Sequence, residues 1–98
     1  MTIQKTRNGS ELILSLEGRL DTLTAPELEK ELKDSLEGVK TLVFDLEKLE
    51  YVSSAGLRVL LSAQKTMNRE GKMTLRHVSE PIRDIFEVTG FSDILTVE

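Results

Sequence analysis

Residues 41–61 read TLVFDLEKLEYVSSAGLRVLL, and the change of period inside them decides the fold class. Thr41-Leu42-Val43-Phe44 is a short unbroken apolar run, the pattern of a strand covered on both faces. Glu47-Lys48-Leu49-Glu50 follows as a polar loop and leads into Tyr51-Val52-Ser53-Ser54. From about Ala55 the spacing turns helical, with Leu57, Leu60, Leu61 and Met67 on one face of a predicted helix over 55–69. Gly71 closes it. A buried strand feeding straight into a helix is the repeating unit of a parallel α/β sheet.

The same unit recurs on both sides. Toward the N-terminus, residues 2–7 and 10–17 are predicted strands around Asn8-Gly9, a dipeptide suited to the positive φ of a tight hairpin turn. Leu12, Leu14 and Leu16 alternate with Ile13, Ser15 and Glu17, so one face of the second strand is apolar. Leu28, Leu32 and Leu36 then recur every fourth residue, which makes a helical stripe. Thr24-Ala25-Pro26-Glu27 has the spacing of a capping box at its start, and Gly38 is its predicted stop. Toward the C-terminus, Met73 and Leu75 mark a strand that includes His77. Ser79-Glu80-Pro81 opens a third helix carrying Ile82, Ile85 and Phe86, Gly90 ends it, and 94–97 is a last short strand. The predicted order is β-β-α-β-α-β-α-β. That is one α/β domain over 1–98, its sheet mixed but mainly parallel and opened by an antiparallel hairpin.

Composition removes several classes of function. The 98 residues carry a net charge of −4 and contain no cysteine, which excludes disulfides, zinc–thiolate sites and thiol catalysis. No basic block stands out and aromatics are only 4%, so the footprint of a nucleic-acid binder is missing. No apolar stretch approaches the ~18 residues of a membrane span. The opening MTIQKTRNGSELIL lacks the pattern of a secretion signal. The expectation is a cytoplasmic domain without a membrane or nucleic-acid partner.

The Ser53-Ser54 pair lies between a strand exit and the first turn of a helix, the edge where functional residues of open α/β sheets collect. A serine there caps the helix. The same free N–H groups and dipole also accommodate a phosphate, so both readings hold together. The surrounding V-S-S-A-G is not G-x-S-x-G, because Val52 takes the first glycine position. His77 is the only histidine and sits on a distant strand, so no catalytic residue is assigned. With one histidine and scattered carboxylates, no metal or other cofactor is expected. Asp45, Glu47 and Glu50 read as a solvated loop. The phosphate-binding G-x-x-x-x-G-K-[ST] loop is absent. Asp21 and Thr24, in D-T-L-T, occupy the other strand-to-helix turn. Locally they are capping residues. If the two strands are parallel and adjacent, both turns end on one edge, which groups Asp21 and Thr24 with Ser54, Gly56, Leu57 and Arg58.

Four segments together resemble the STAS-domain family, specifically the bacterial anti-sigma factor antagonists: EGRLDTLTAP at 17–26, LVFDL at 42–46, SSAGLRVLL at 53–61 and SEPIRDIFEVTGF at 79–91. The resemblance implies a phosphorylation-switched protein-binding module rather than an enzyme. Its partners would be an anti-sigma factor serine kinase, bound by the unmodified form so that sigma factor is released, and a PP2C-like phosphatase that reverses the modification. The family pattern Asp-Ser-Ser/Thr-Gly-Leu aligns its phosphoserine with Ser54. It also implies a partner surface of Asp21, Thr24, Ser53, Gly56, Leu57 and Arg58. Ser53 stands where many members have aspartate, and Ala55 where many have serine or threonine. A STAS scaffold with an output other than sigma factor is the alternative, and a nucleotide-binding or hydrolytic enzyme the more distant one.

Overall fold

In the computed structural model, which describes residues 1–98, the hairpin forms one residue later than the dipeptide suggests. β1 (Thr2–Asn8) and β2 (Glu11–Leu20) pair antiparallel with Asn8 opposite Glu11, so Gly9-Ser10 is the loop and Gly9 takes φ +65°. From β2 the chain passes through α1 (Ala25–Ser35) to β3 (Thr41–Val52), then α2 (Ser54–Glu70) and β4 (Lys72–Arg76). α3 (Glu80–Thr89) and a 3₁₀ turn (Phe91–Asp93) complete it. The sheet order is β1-β2-β3-β4, with β2, β3 and β4 mutually parallel.

Because β2, β3 and β4 follow one another in the same direction, right-handed crossovers place every helix on one face. Burial follows that geometry. Leu12, Leu14 and Leu16 of β2, Leu42, Phe44 and Leu46 of β3, and Met73 and Leu75 of β4 all point into a single core. Leu28 and Leu32 of α1, Leu60 and Met67 of α2, and Ile82 and Phe86 of α3 meet them there. The expectation of a strand covered on both faces is therefore corrected. Val43 is buried because it lies in register between Ile13 and Thr74, not because a second helical layer covers it.

The predicted loop over Glu47–Glu50 is strand. β3 runs on to Val52, and its register with β2 slips twice, between Ser15 and Glu17 and between Gly18 and Arg19. Each slip adds one residue to β3, so its inward positions fall at Leu46, Leu49 and Val52. That spacing of three hides the two-residue period of a strand. The last predicted strand also contracts. After the 3₁₀ turn, Leu95 enters the core and Val97 makes one parallel bridge to Leu75. Leu75 N–H donates to Thr96 O and its carbonyl accepts from Glu98 N–H, with no longer ladder. The architecture remains a mixed, mainly parallel α/β domain of four strands and three helices.

Candidate functional site

The two strand-to-helix turns meet at the carboxyl edge of the sheet, and local chemistry holds them together. Leu20 is the last residue of β2, and its carbonyl accepts from Ser53 N–H at 2.8 Å. Gly56, one helical turn further, has no Cβ because one would lie 2.6 Å from Leu20 Cγ and 2.9 Å from Leu20 O. Only glycine allows α2 to start this close to β2. Asp21 follows Leu20 and Ser54 follows Ser53, so this clamp brings the two candidate residues to neighbouring turns.

α2 begins one residue earlier than its periodicity indicates, and the cap is Ser53. Its Oγ accepts from Gly56 N–H at 3.3 Å with φ −90° and ψ 174°, the extended geometry of an N-cap. Ser54 is the first helical residue and is exposed. Of the serine pair, Ser53 is therefore the cap, and the Ser54 hydroxyl is not tied to holding that turn. No acidic residue occupies this turn, whose free N–H groups favour negative charge.

At the other turn, Thr24-Ala25-Pro26-Glu27 does not form the expected capping box. Thr24 carries φ −99° and ψ −19°, and its side chain turns back along the chain. Its hydroxyl donates to Arg19 O and accepts from Asp21 N–H, both at 2.8 Å. Asp21 takes over the organising role: Oδ1 accepts from Leu23 N–H at 3.0 Å and Thr24 N–H at 3.1 Å. The Thr24 N–H bond is the main reason its carboxyl lies below the ordinary range. Partial desolvation opposes the shift, and Leu23 N–H, the Thr24 hydroxyl and the Arg19 charge assist it. Arg19 Nε lies 3.7 Å from Asp21 Oδ2, and the same guanidinium stacks over the Tyr51 ring at 4.4 Å.

The grouped residues thus divide by depth. Ser54 and Arg58 are exposed, and Arg58 shares with Thr22, Ala25, Pro26 and Ala55 a groove of about 270 Å³ between the two helix starts. Asp21, Ser53 and Thr24 are half-buried and serve the turns internally. Gly56 and Leu57 are buried, so they support the surface from beneath rather than offering side chains to it. Sequence reasoning missed Leu23, which is 85% exposed beside Asp21. A lone leucine in a polar turn, outside any periodic stripe, was its only signal.

His77 departs from its predicted strand. It follows β4 with φ +58°, and its Nδ1 lies 3.1 Å from Asp45 Oδ1 and 3.9 Å from Glu47 Oε2. Arg76 Nε stands 3.4 Å from Asp45 Oδ2. The Asp45 side chain is only 17% exposed, so part of the presumed solvated loop is a semi-buried ion cluster. Burial pushes the Asp45 carboxyl up, but Glu47 N–H, His77 and Arg76 together hold it below its usual value. Asp45, Glu47 and His77 bring ligand atoms within 4.8 Å of one another, yet arginine and histidine already engage both Asp45 oxygens. The arrangement ties β3 to the turn after β4, well back from the Ser54 edge. No helix is long and apolar enough to cross a membrane.

Comparison with known proteins places this geometry. The chain is 38% identical over 88 residues to BtrV of Bordetella bronchiseptica, assigned by name to the anti-sigma factor antagonists, covering 88% of this chain and 76% of that protein. It is 30% identical over 99 residues to the anti-sigma-B factor antagonist of Staphylococcus aureus, covering 99% and 92%. Among solved structures, an anti-sigma factor antagonist from Mycobacterium paratuberculosis superposes with TM-score 0.87 at 23% identity, over 98% of this chain and 83% of that one. SpoIIAA of Bacillus in its phosphorylated form superposes with TM-score 0.77 at 18% identity, over 99% and 91%, which is likeness of fold. The pattern of the STAS domain matches residues 2–98. On that match, spanning all but the first residue, the chain belongs to the STAS domain family.

Proposed function

We propose that this domain is an anti-sigma factor antagonist, a non-enzymatic binding module switched by phosphorylation of Ser54. The observation that carries the reading is the position of Ser54. It is an exposed hydroxyl on the first turn of α2, one residue past the cap Ser53, whose N–H bonds the Leu20 carbonyl where the Asp21 turn begins. The names of the two relatives support the antagonist role.

In its unmodified form the domain docks an anti-sigma factor serine kinase through the edge formed by the Asp21 turn, Ser54 and Arg58. Thr24, Ser53, Gly56 and Leu57 hold that edge in shape. Phosphorylation adds about −1.5 to −2 charges at pH 7. Beside the ionised Asp21 that charge repels an acidic surface and must be desolvated against an apolar one, so the complex dissociates. The modification costs the fold little, because the helix start accommodates an anion and the cap belongs to Ser53. A PP2C-like phosphatase removes the phosphate and restores docking. The action is contact rather than catalysis, and it takes place in the cytoplasm with no cofactor.

Incubation with the cognate kinase and ATP, followed by peptide mass spectrometry, tests the assignment. The phosphate is expected on Ser54; modification of Ser53 alone would refute it.

A further inference from the structure

We propose that Leu23 is the apolar anchor of the docking edge and that Asp21 acts on the partner through it, as a positioning residue. The inference rests on the antagonist reading above, and its occupant is an apolar pocket of leucine size on the anti-sigma factor.

Single exposed apolar side chains are commonplace on protein surfaces. Leu23 differs in how it is held. Its own N–H and that of Thr24 both donate to Asp21 Oδ1, and the Thr24 hydroxyl fastens the turn to Arg19 O and Asp21 N–H. The leucine between these bonds stands 85% exposed on a backbone that is already ordered. An anchor fixed in advance avoids most of the ordering cost that a mobile loop pays on binding. Asp21, by contrast, has little left to offer a partner. Oδ1 is engaged inside the turn, Oδ2 lies 3.7 Å from Arg19 Nε, and the side chain is only 28% exposed.

The fold supplies a control. Val88 is 87% exposed, as bare as Leu23, but it lies near the C-terminus of α3. α3 follows β4 and the Leu23 turn follows β2, with β3 between those two strands, so Val88 belongs to a different element from the docking edge. General stickiness would involve both residues. A specific docking edge uses only Leu23.

The test is calorimetric binding of the unmodified protein to its purified anti-sigma factor, alongside thermal melts of each variant. Leu23→Ala should weaken binding by about tenfold or more, the loss expected when a buried leucine is trimmed to alanine, with no fall in melting temperature. Val88→Ala should leave affinity unchanged. Asp21→Asn keeps an oxygen to accept from Leu23 and Thr24 N–H while losing the charge, and should bind within about threefold of wild type. Asp21→Ala should fall as far as Leu23→Ala, and the double variant no further, because both remove one presented side chain. Wild-type affinity in Leu23→Ala overturns the anchor. Loss in Asp21→Asn equal to that in Asp21→Ala overturns the positioning role and assigns Asp21 a direct charge contact. If the wild-type protein itself does not bind, the antagonist reading fails and this inference falls with it.

Discussion

Ser53 and Ser54 are adjacent and chemically identical, yet one extended ψ separates their roles. Ser53 adopts it, so its oxygen reaches Gly56 N–H; Ser54 is already helical and cannot. Removing a serine cap costs about 1 kcal/mol. Ser53→Ala is therefore expected to lower stability by about that amount in urea unfolding, while Ser54→Ala changes it by less than about 0.5 kcal/mol. Ser54→Asp should remain folded by circular dichroism, since an acidic residue suits the first turn of a helix, yet bind the anti-sigma factor more weakly. Unfolding in Ser54→Asp would instead make the serine structural. The S-S-A-G-L motif made this spot legible. Which serine caps was not, because a one-residue shift of the helix start leaves its apolar stripe unchanged.

At the scale of elements, two glycines and one arginine decide how the pieces join. A Cβ on Gly71 would overlap the Lys40 carbonyl, the group that accepts from Lys72 N–H where β4 begins alongside β3. Gly71→Ala must displace backbone rather than a flexible side chain. A loss of at least about 1–3 kcal/mol is expected in chemical denaturation, as for overpacked cores. Gly56→Ala meets both the Leu20 side chain and its carbonyl, so it should also pry the two strand-to-helix turns apart and, on the proposed docking edge, weaken partner binding beyond its effect on stability. Arg7 fastens β1 to the end of α1. Nη1 donates to Ser35 O and Glu37 O at 3.3 Å, and Nε to Gly9 O at 3.0 Å. The bond to Ser35 O occupies a carbonyl that the end of α1 leaves unpaired. The bonds to Ser35 and Glu37 were not visible in the sequence, because they join residues 28 and 30 positions apart.

For the whole molecule, one core under one helical layer implies cooperative loss. Phe44 and Phe86 are fully buried on opposite sides of the sheet–helix interface, and trimming either to alanine should cost about 3–5 kcal/mol. For a domain this small, that approaches the entire stability. Acid should act on the same unit. The carboxyls of Asp21, Glu31 and Asp45 all lie below their ordinary values: Asp21 chiefly through Thr24 N–H, Glu31 chiefly through the Ser35 hydroxyl, Asp45 through Glu47 N–H, His77 and Arg76 against the upward push of burial. A carboxyl depressed in the fold contributes stability above its unfolded pKa and loses it as pH falls through its folded one. Melting temperature is therefore expected to be level from pH 7 to about 5 and to drop below about pH 4. A protein equally stable at pH 3 and pH 7 would contradict these assignments. By itself, the sequence determined the order of the main strands and helices, the α/β class, the hairpin and a serine cap at the start of α2, because these follow from local period, turn chemistry and short motifs. Only the tertiary structure decided that β3 continues through Glu47–Glu50, that 94–97 is a single bridge, that Asp45 and His77 pair, and that Asp21 holds a turn displaying Leu23. Each of these depends on which distant backbone supplies the hydrogen-bond partner or the extra residue of a bulge. Periodicity along one chain carries no record of that choice.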